Sequence, residues 1–189
     1  GSLSLNGGRL TTGALREELG NGTVTFNGGT LRLTGNQANL FAGFETNDVT
    51  IGAGGTTIDT QSFTVTAASG IGGTGGLTKL GAGSLTLGGT NSYAGPTAIN
   101  AGTFVANGSL ATSSVTMADN TTLSGGGSIA GAVNLGTGVT LTPGDGVGTL
   151  TTGNLTLNAS TILNYQLDTP AASDLIVVNG NLVLDGTLN

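Results

Sequence analysis

The chain has 189 residues, of which 37 are glycine, 3 proline and none cysteine or histidine, and its 4 Lys and Arg against 10 Asp and Glu give a net charge of −6. So few cations cannot neutralise a run of phosphates, which argues against nucleic-acid binding. The missing Cys and His exclude thiol nucleophiles, Ser-His-Asp and Cys-His relays, thiolate or imidazole zinc sites and disulfide staples.

Glycine stands far above its usual ~7% of a sequence, yet Leu, Ile, Val and Phe remain plentiful and only 7% of residues are charged. A disordered chain shows the opposite balance, so this one folds. No stretch approaches the ~18 to 20 continuous apolar residues of a membrane helix, and residues 1 to 20 lack the basic start and apolar run of a signal peptide.

In chain order, the first helix-like candidate is Ala14 to Leu19, closed by Gly20 at a C-cap position, although a protruding loop fits it equally. Short alternations of apolar and polar residues follow at Thr23–Phe26 and Leu31–Leu33. Gln37 to Glu45, with Leu40, Phe41 and Phe44 crowded together, breaks this rhythm and reads as an excursion. The alternation resumes at Val49–Ile51, Thr56–Ile58, Phe63–Val65, Leu85–Leu87, Ala98–Ile99, Phe104–Val105 and Val115–Met117. It continues through Val133–Leu135, Val139–Leu141, Leu155–Leu157, Ile176–Val178 and Leu182–Leu184.

Each run is a short strand with one buried face, and Asn-Gly, Gly-Gly or Asp-Gly between runs marks a turn. Three such strands make a repeat of roughly twenty residues, in the range of solenoids. Antiparallel hairpins compete, since Asn-Gly between strands is also a hairpin signal. Strands this short would build a very small sandwich, however, and the outward positions hold Thr, Ser and Asn rather than Lys and Glu. Like residues stacked in ladders suit parallel coils. The fold class predicted is therefore all-β: a right-handed parallel β-helix, one elongated stack with about three short strands per turn, running continuously over 1–189. Leu175–Val178 with Leu182–Leu184 is the most apolar run. It is expected to hold a disproportionate share of the stability, because burial scales with apolar area.

Within 75–104, the pattern Leu77-Thr78-Lys79, Gly81-x-Gly83-Ser84-Leu85-x-Leu87-x-Gly89, Asn91-x-Tyr93-x-Gly95-x-Thr97-x-Ile99-x-x-Gly102-Thr103-Phe104 resembles the repeat of autotransporter passengers. This copy has Ser84 where Thr is usual, Pro96 before Thr97, Ile99 for Val and Phe104 for Leu, all of which keep size or strand preference. The segment 143–189, through Pro143-Gly144, Gly148-Thr149-Leu150, Gly153 to Leu157, Ser160, Asp174 to Val177 and Gly180, is similar to the C-terminal, autochaperone-like part of such passengers. The resemblance implies a non-enzymatic stalk or adhesin segment on the cell surface or secreted from a Gram-negative bacterium, with an outer-membrane barrel downstream. Host or bacterial surface molecules, or other copies of the chain, would be its partners.

Candidate sites each have a plain structural reading. Gly70-Ile71-Gly72-Gly73-Thr74-Gly75 matches G-x-G-x-x-G, but glycine and a strand follow where a dinucleotide site needs a helix, so no cofactor is assigned. Gly72 to Gly76 starts like a calcium nonapeptide but has Gly76 at the Asp position, and Gly144-Asp145-Gly146 supplies a single carboxylate, so no metal is assigned. Glu17 with Glu18, and Asp168 with Asp174 across the Pro170 loop, are the carboxylate pairs that a polysaccharide-cleaving β-helix would need. The cations Arg9, Arg16, Arg32 and Lys79 are scattered, so no catalytic residue is assigned. Lys79 lies about one turn after Asp59, which suggests a local ion pair or hydrogen bond, and Tyr93 is expected at a corner. Sequons at Asn21, Asn107, Asn120, Asn154 and Asn158 come with a composition rich in Asn and Thr. Thr-x-Thr pairs such as Thr23/Thr25 and Thr64/Thr66 raise a ligand-binding or ice-binding reading, which requires one flat face with threonines in register.

Overall fold

The computed structural model describes residues 1–111, 113–169 and 172–185. Among them there is no helix, and parallel strands stack as a β-solenoid of about eight turns. Three strands make a turn, each on its own face.

The first face begins with Ser2–Leu5, Thr23–Phe26, Val49–Ile51 and Ile71–Gly73, and continues through Thr90–Asn91, Ser109–Leu110, Ser128–Ile129, Thr149–Thr152 and Leu175–Val178. The two halves meet where the Ser92 N–H donates to the Ile71 carbonyl at 2.8 Å. The second face is one nine-stranded sheet from Arg9–Thr12 to Leu182–Leu184. The third runs in six strands from Thr64–Ala67 through Ser84–Leu87, Thr103–Ala106, Thr122–Gly125 and Thr140–Pro143 to Ile162–Leu163.

The register explains why two-residue alternation suffices. Leu77 lies beside Thr97 and Thr97 beside Val115, so each residue stacks on its counterpart one turn away. Inward positions form apolar columns such as Val65, Leu85, Phe104, Leu123 and Leu141, all buried. Most strands on the three faces lie between two others, so their amides are satisfied by the turns on either side and the short length costs little.

Tight corners demand glycine at particular places. Gly102 has a φ of 72°, and a Cβ there would strike the Gly83 carbonyl oxygen of the preceding turn. Only glycine accepts both the left-handed backbone and the close approach at small cost.

The two irregular segments differ from their sequence reading. No helix forms at Ala14 to Leu19; Leu15–Arg16 is instead a short parallel strand beside Phe41–Ala42. Gln37 to Glu45 is no excursion, since Gln37 bridges to Val65 and both Leu40 and Phe41 are fully buried. The Phe41 ring packs on Phe26 at 6.1 Å between centroids, tilted by 53°. Core demand outweighed helix propensity here, because Leu40 and Phe41 have an apolar interior to fill and an isolated turn of helix has none. The excursion lies elsewhere, as an antiparallel pair of Leu167–Thr169 with Ala172–Ser173. Pro170 lies outside the described residues.

The expectation for the C-terminal run is also corrected. Leu175, Leu182, Val183 and Leu184 are each about half exposed, while Ile51 is 1% exposed. Among the described residues these strands have a neighbour on one side only, so apolar composition is not matched there by buried area.

Candidate functional site

Residues 77 to 106 form the strands Leu77–Leu80, Ser84–Leu87, Thr90–Asn91, Thr97–Ile99 and Thr103–Ala106, and four of their polar side chains, Lys79, Asn91, Tyr93 and Thr97, are buried. Lys79 occupies the inward column otherwise filled by Leu31, Ile58, Ile99 and Met117. It is fully buried. Its Nζ donates to the Gly81 carbonyl of its own turn at 2.8 Å, to the Ala101 carbonyl of the next turn at 2.8 Å and to Thr60 Oγ1 of the preceding turn at 3.2 Å. One ammonium thus uses its three donors to tie three turns together. Burial pulls its pKa down from 10.5 to about 8, and the charge of Asp59 opposes that pull.

Asp59 makes no bond to Lys79. It accepts from the Gln61 side chain and from the Gln61 backbone N–H at 3.0 Å, and lies 3.9 Å from Arg32. Arg32 donates to Gln61 Oε1 at 2.7 Å, which closes a small cluster on the outer surface. The sequence placed the two charges near each other correctly but missed that strand alternation sends Lys79 in and Asp59 out.

Asn91 repeats the stitching logic on the first face. Its Oδ1 accepts from the Ile71 N–H at 3.2 Å, and its Nδ2 donates to Gly89 and Ser109 carbonyls at 2.8 and 3.2 Å. Tyr93 is fully buried; its hydroxyl meets Thr97 Oγ1 at 2.6 Å, and Thr97 meets Ser113 Oγ at 2.8 Å. Ser113 in turn donates to the Gly95 carbonyl at 2.9 Å. Burial pushes the Tyr93 hydroxyl up to about 12. These groups are satisfied by one another and present nothing to a ligand.

Five of the carboxylates accept from backbone amides, Asp59 as above and four more. Glu17 accepts from Leu19 N–H, which holds it below its ordinary range, Asp48 from Glu45 N–H, and Asp119 from Thr137 N–H. Buried Asp174 accepts from both Gly148 and Gln166 N–H, fastening the base of the antiparallel pair, while Asp168 is exposed on it. A groove of about 300 Å³ runs along Gly54, Gly55, Thr57, Gly76, Thr78 and Pro96, and no ionisable side chain lines it. Gly70 to Gly75 contains the strand Ile71–Gly73, paired with Val49–Ile51, as the solenoid reading of that motif requires.

The third face carries a feature that spacing in the sequence concealed. Its outward positions form two columns: Thr64, Ser84, Thr103, Thr122 and Thr140 in one, Thr66, Thr86, Val105, Ser124 and Thr142 in the other. Five consecutive turns therefore present hydroxyls in two-dimensional register, broken only by Val105. Strand spacing sets the grid at ~4.8 Å between turns and ~6.6 Å along a strand. These residues recur every 18 to 20 residues in the chain, but which Thr and Ser share one outward face appears only with the register.

The passenger-associated-transport-repeat family profile matches residues 77–106. A protein of Brucella suis biovar 1 (strain 1330) named adhesin BmaC autotransporter is 38% identical over 151 residues, covering 70% of this chain and 4% of its own length. A Serratia marcescens protein named extracellular serine protease is 45% identical over 80 residues, 42% of this chain and 8% of its own. The chain thus spans a small fraction of each relative. No solved structure gives a significant match. With the repeat at 77–106 seated in a parallel β-solenoid, the chain is identified as a segment of an autotransporter passenger.

Proposed function

We propose that this segment is a non-catalytic stalk of a surface-displayed or secreted passenger, supporting adhesion or self-association from a rigid β-helix. The observation that carries the reading is that the polar groups of the repeat, Lys79, Asn91, Tyr93 and Thr97, are consumed inside the stack. A relative named as a protease does not change it, since the present chain holds no histidine for a Ser-His-Asp relay. Segment 143–189 acts in the folding of the passenger during export, with a barrel downstream in the full-length protein. The purified segment should hydrolyse no peptide, ester or polysaccharide above background, and beads coated with it should adhere to one another or to cells. Turnover abolished by changing one Asp would overturn the first part, and inert beads the second.

The hydroxyl grid supports a second reading, a binding surface for ice. Uncharged, regular and presented on a rigid sheet, it has the spacing to order water along a crystal plane. Freezing-point depression without a matching change in melting point, lost on Thr122→Lys, is the expected signature. Its absence would leave the grid a purely structural ladder.

A further inference from the structure

Five Asn-Gly steps occur, at Asn6, Asn21, Asn27, Asn107 and Asn179. Such a step can deamidate. The glycine amide nitrogen, losing its proton, attacks the Asn side-chain carbonyl; the C–N bond to the side-chain nitrogen breaks, ammonia leaves, and water opens the resulting succinimide to Asp or isoAsp. The reaction needs an amide N–H free of partners and a side-chain carbonyl free to swing over it.

The stack withholds both at two positions. At Asn27 the Gly28 N–H donates to Gly55 O at 2.7 Å, and Asn27 Oδ1 accepts from Gly54 N–H at 2.9 Å. At Asn107 the Gly108 N–H donates to Leu87 O at 2.8 Å, and Asn107 Oδ1 accepts from Gly126 N–H at 3.3 Å. Asn21 differs. It is exposed, follows Gly20 at a φ of 71°, and its side chain bonds only through Nδ2 to Leu19 O at 3.2 Å, which leaves its side-chain carbonyl oxygen without a partner among the described residues. The Gly22 N–H likewise makes no hydrogen bond among the described residues, although Gly22 is buried against the Glu17 carboxylate. Asn6 and Asn179 sit on the outermost turns, where a further stacked turn would alter their bonds.

We propose that Asn21 is a site of spontaneous modification, converting to Asp and isoAsp in the folded protein while the ladder protects Asn27 and Asn107. The new carboxylate would lie on the same loop as Glu17 and Glu18. Attack at a protected site must wait for local opening of the ladder, so it should be slower by about tenfold or more.

The test is to incubate the folded protein in mildly alkaline H₂¹⁸O and map peptides by mass spectrometry, with chemically unfolded protein in parallel. In the folded sample the Asn21 peptide should gain label at least about tenfold faster than those of Asn27 and Asn107. In the unfolded sample the three should converge, which separates structure from sequence. Equal rates in the folded protein, or an Asn21 that stays intact while its unfolded counterpart converts, would overturn the proposal.

Discussion

Replacing Lys79 by Met tests the central stitch. The lowered pKa, about 8 against 10.5, means that between those values the unfolded chain keeps the proton while the folded chain has lost it. The unfolded state then binds more protons, so stability rises as pH climbs through this window. At ~1.36 kcal/mol per pH unit the full difference is about 3 kcal/mol, most of it realised by pH 10. Above pH 10 the opposite term enters: Tyr93, held up to about 12, keeps its proton in the folded chain while the unfolded chain loses it, and stability falls. Met fills similar volume and removes the cost of the buried charge. It also strands the carbonyls of Gly81 and Ala101, each at about 1–3 kcal/mol. A net loss of about 1–3 kcal/mol at neutral pH follows. Urea unfolding from pH 7 to 10 should show the native chain gaining stability above pH 8 and K79M remaining flat there. A native curve that is flat, or a K79M curve that rises equally, would refute the account of the stitch.

Ile51→Asp should lower the unfolding midpoint far more than Ile176→Asp, by about 3–5 kcal/mol at the first site, because Ile51 is enclosed and Ile176 only partly buried; denaturant curves for the pair decide it. Gly102→Val forces a β-branched residue into left-handed backbone against the Gly83 carbonyl and should cost more than about 2 kcal/mol, measurable as a shift in thermal midpoint.

Much of the fold was legible because period two and glycine turns are local signals. Thr23–Phe26, Val49–Ile51 and Val115–Met117 fall in strands as read. Strands such as Thr90–Asn91 and Ser109–Leu110 escaped notice because two residues cannot display an alternation; only the neighbouring turns make them strands. Lys79 and Tyr93 were singled out, yet their depth was hidden, since a buried ammonium is allowed only where three acceptors converge, and two of them come from other turns. The hydroxyl grid was hidden for a similar reason: Thr and Ser are so common in this chain that only the register between turns shows which of them line one face.

A stack of near-identical coils has a problem of identity. Slipping one strand by a whole turn replaces leucine with isoleucine or valine at almost no cost, so many misaligned stacks compete with the right one. Lys79 in a column of Leu31, Ile58, Ile99 and Met117 removes that degeneracy. Moved one rung either way, its ammonium would leave the Thr60 and Ala101 oxygens of the neighbouring turns, keeping only the Gly81 carbonyl of its own, and an under-satisfied buried charge is severely penalised. A chain that folds progressively from one end has no finished template to measure against. A single ionic rung lets it count turns from within, as a datum mark lets a ruler be read from the middle.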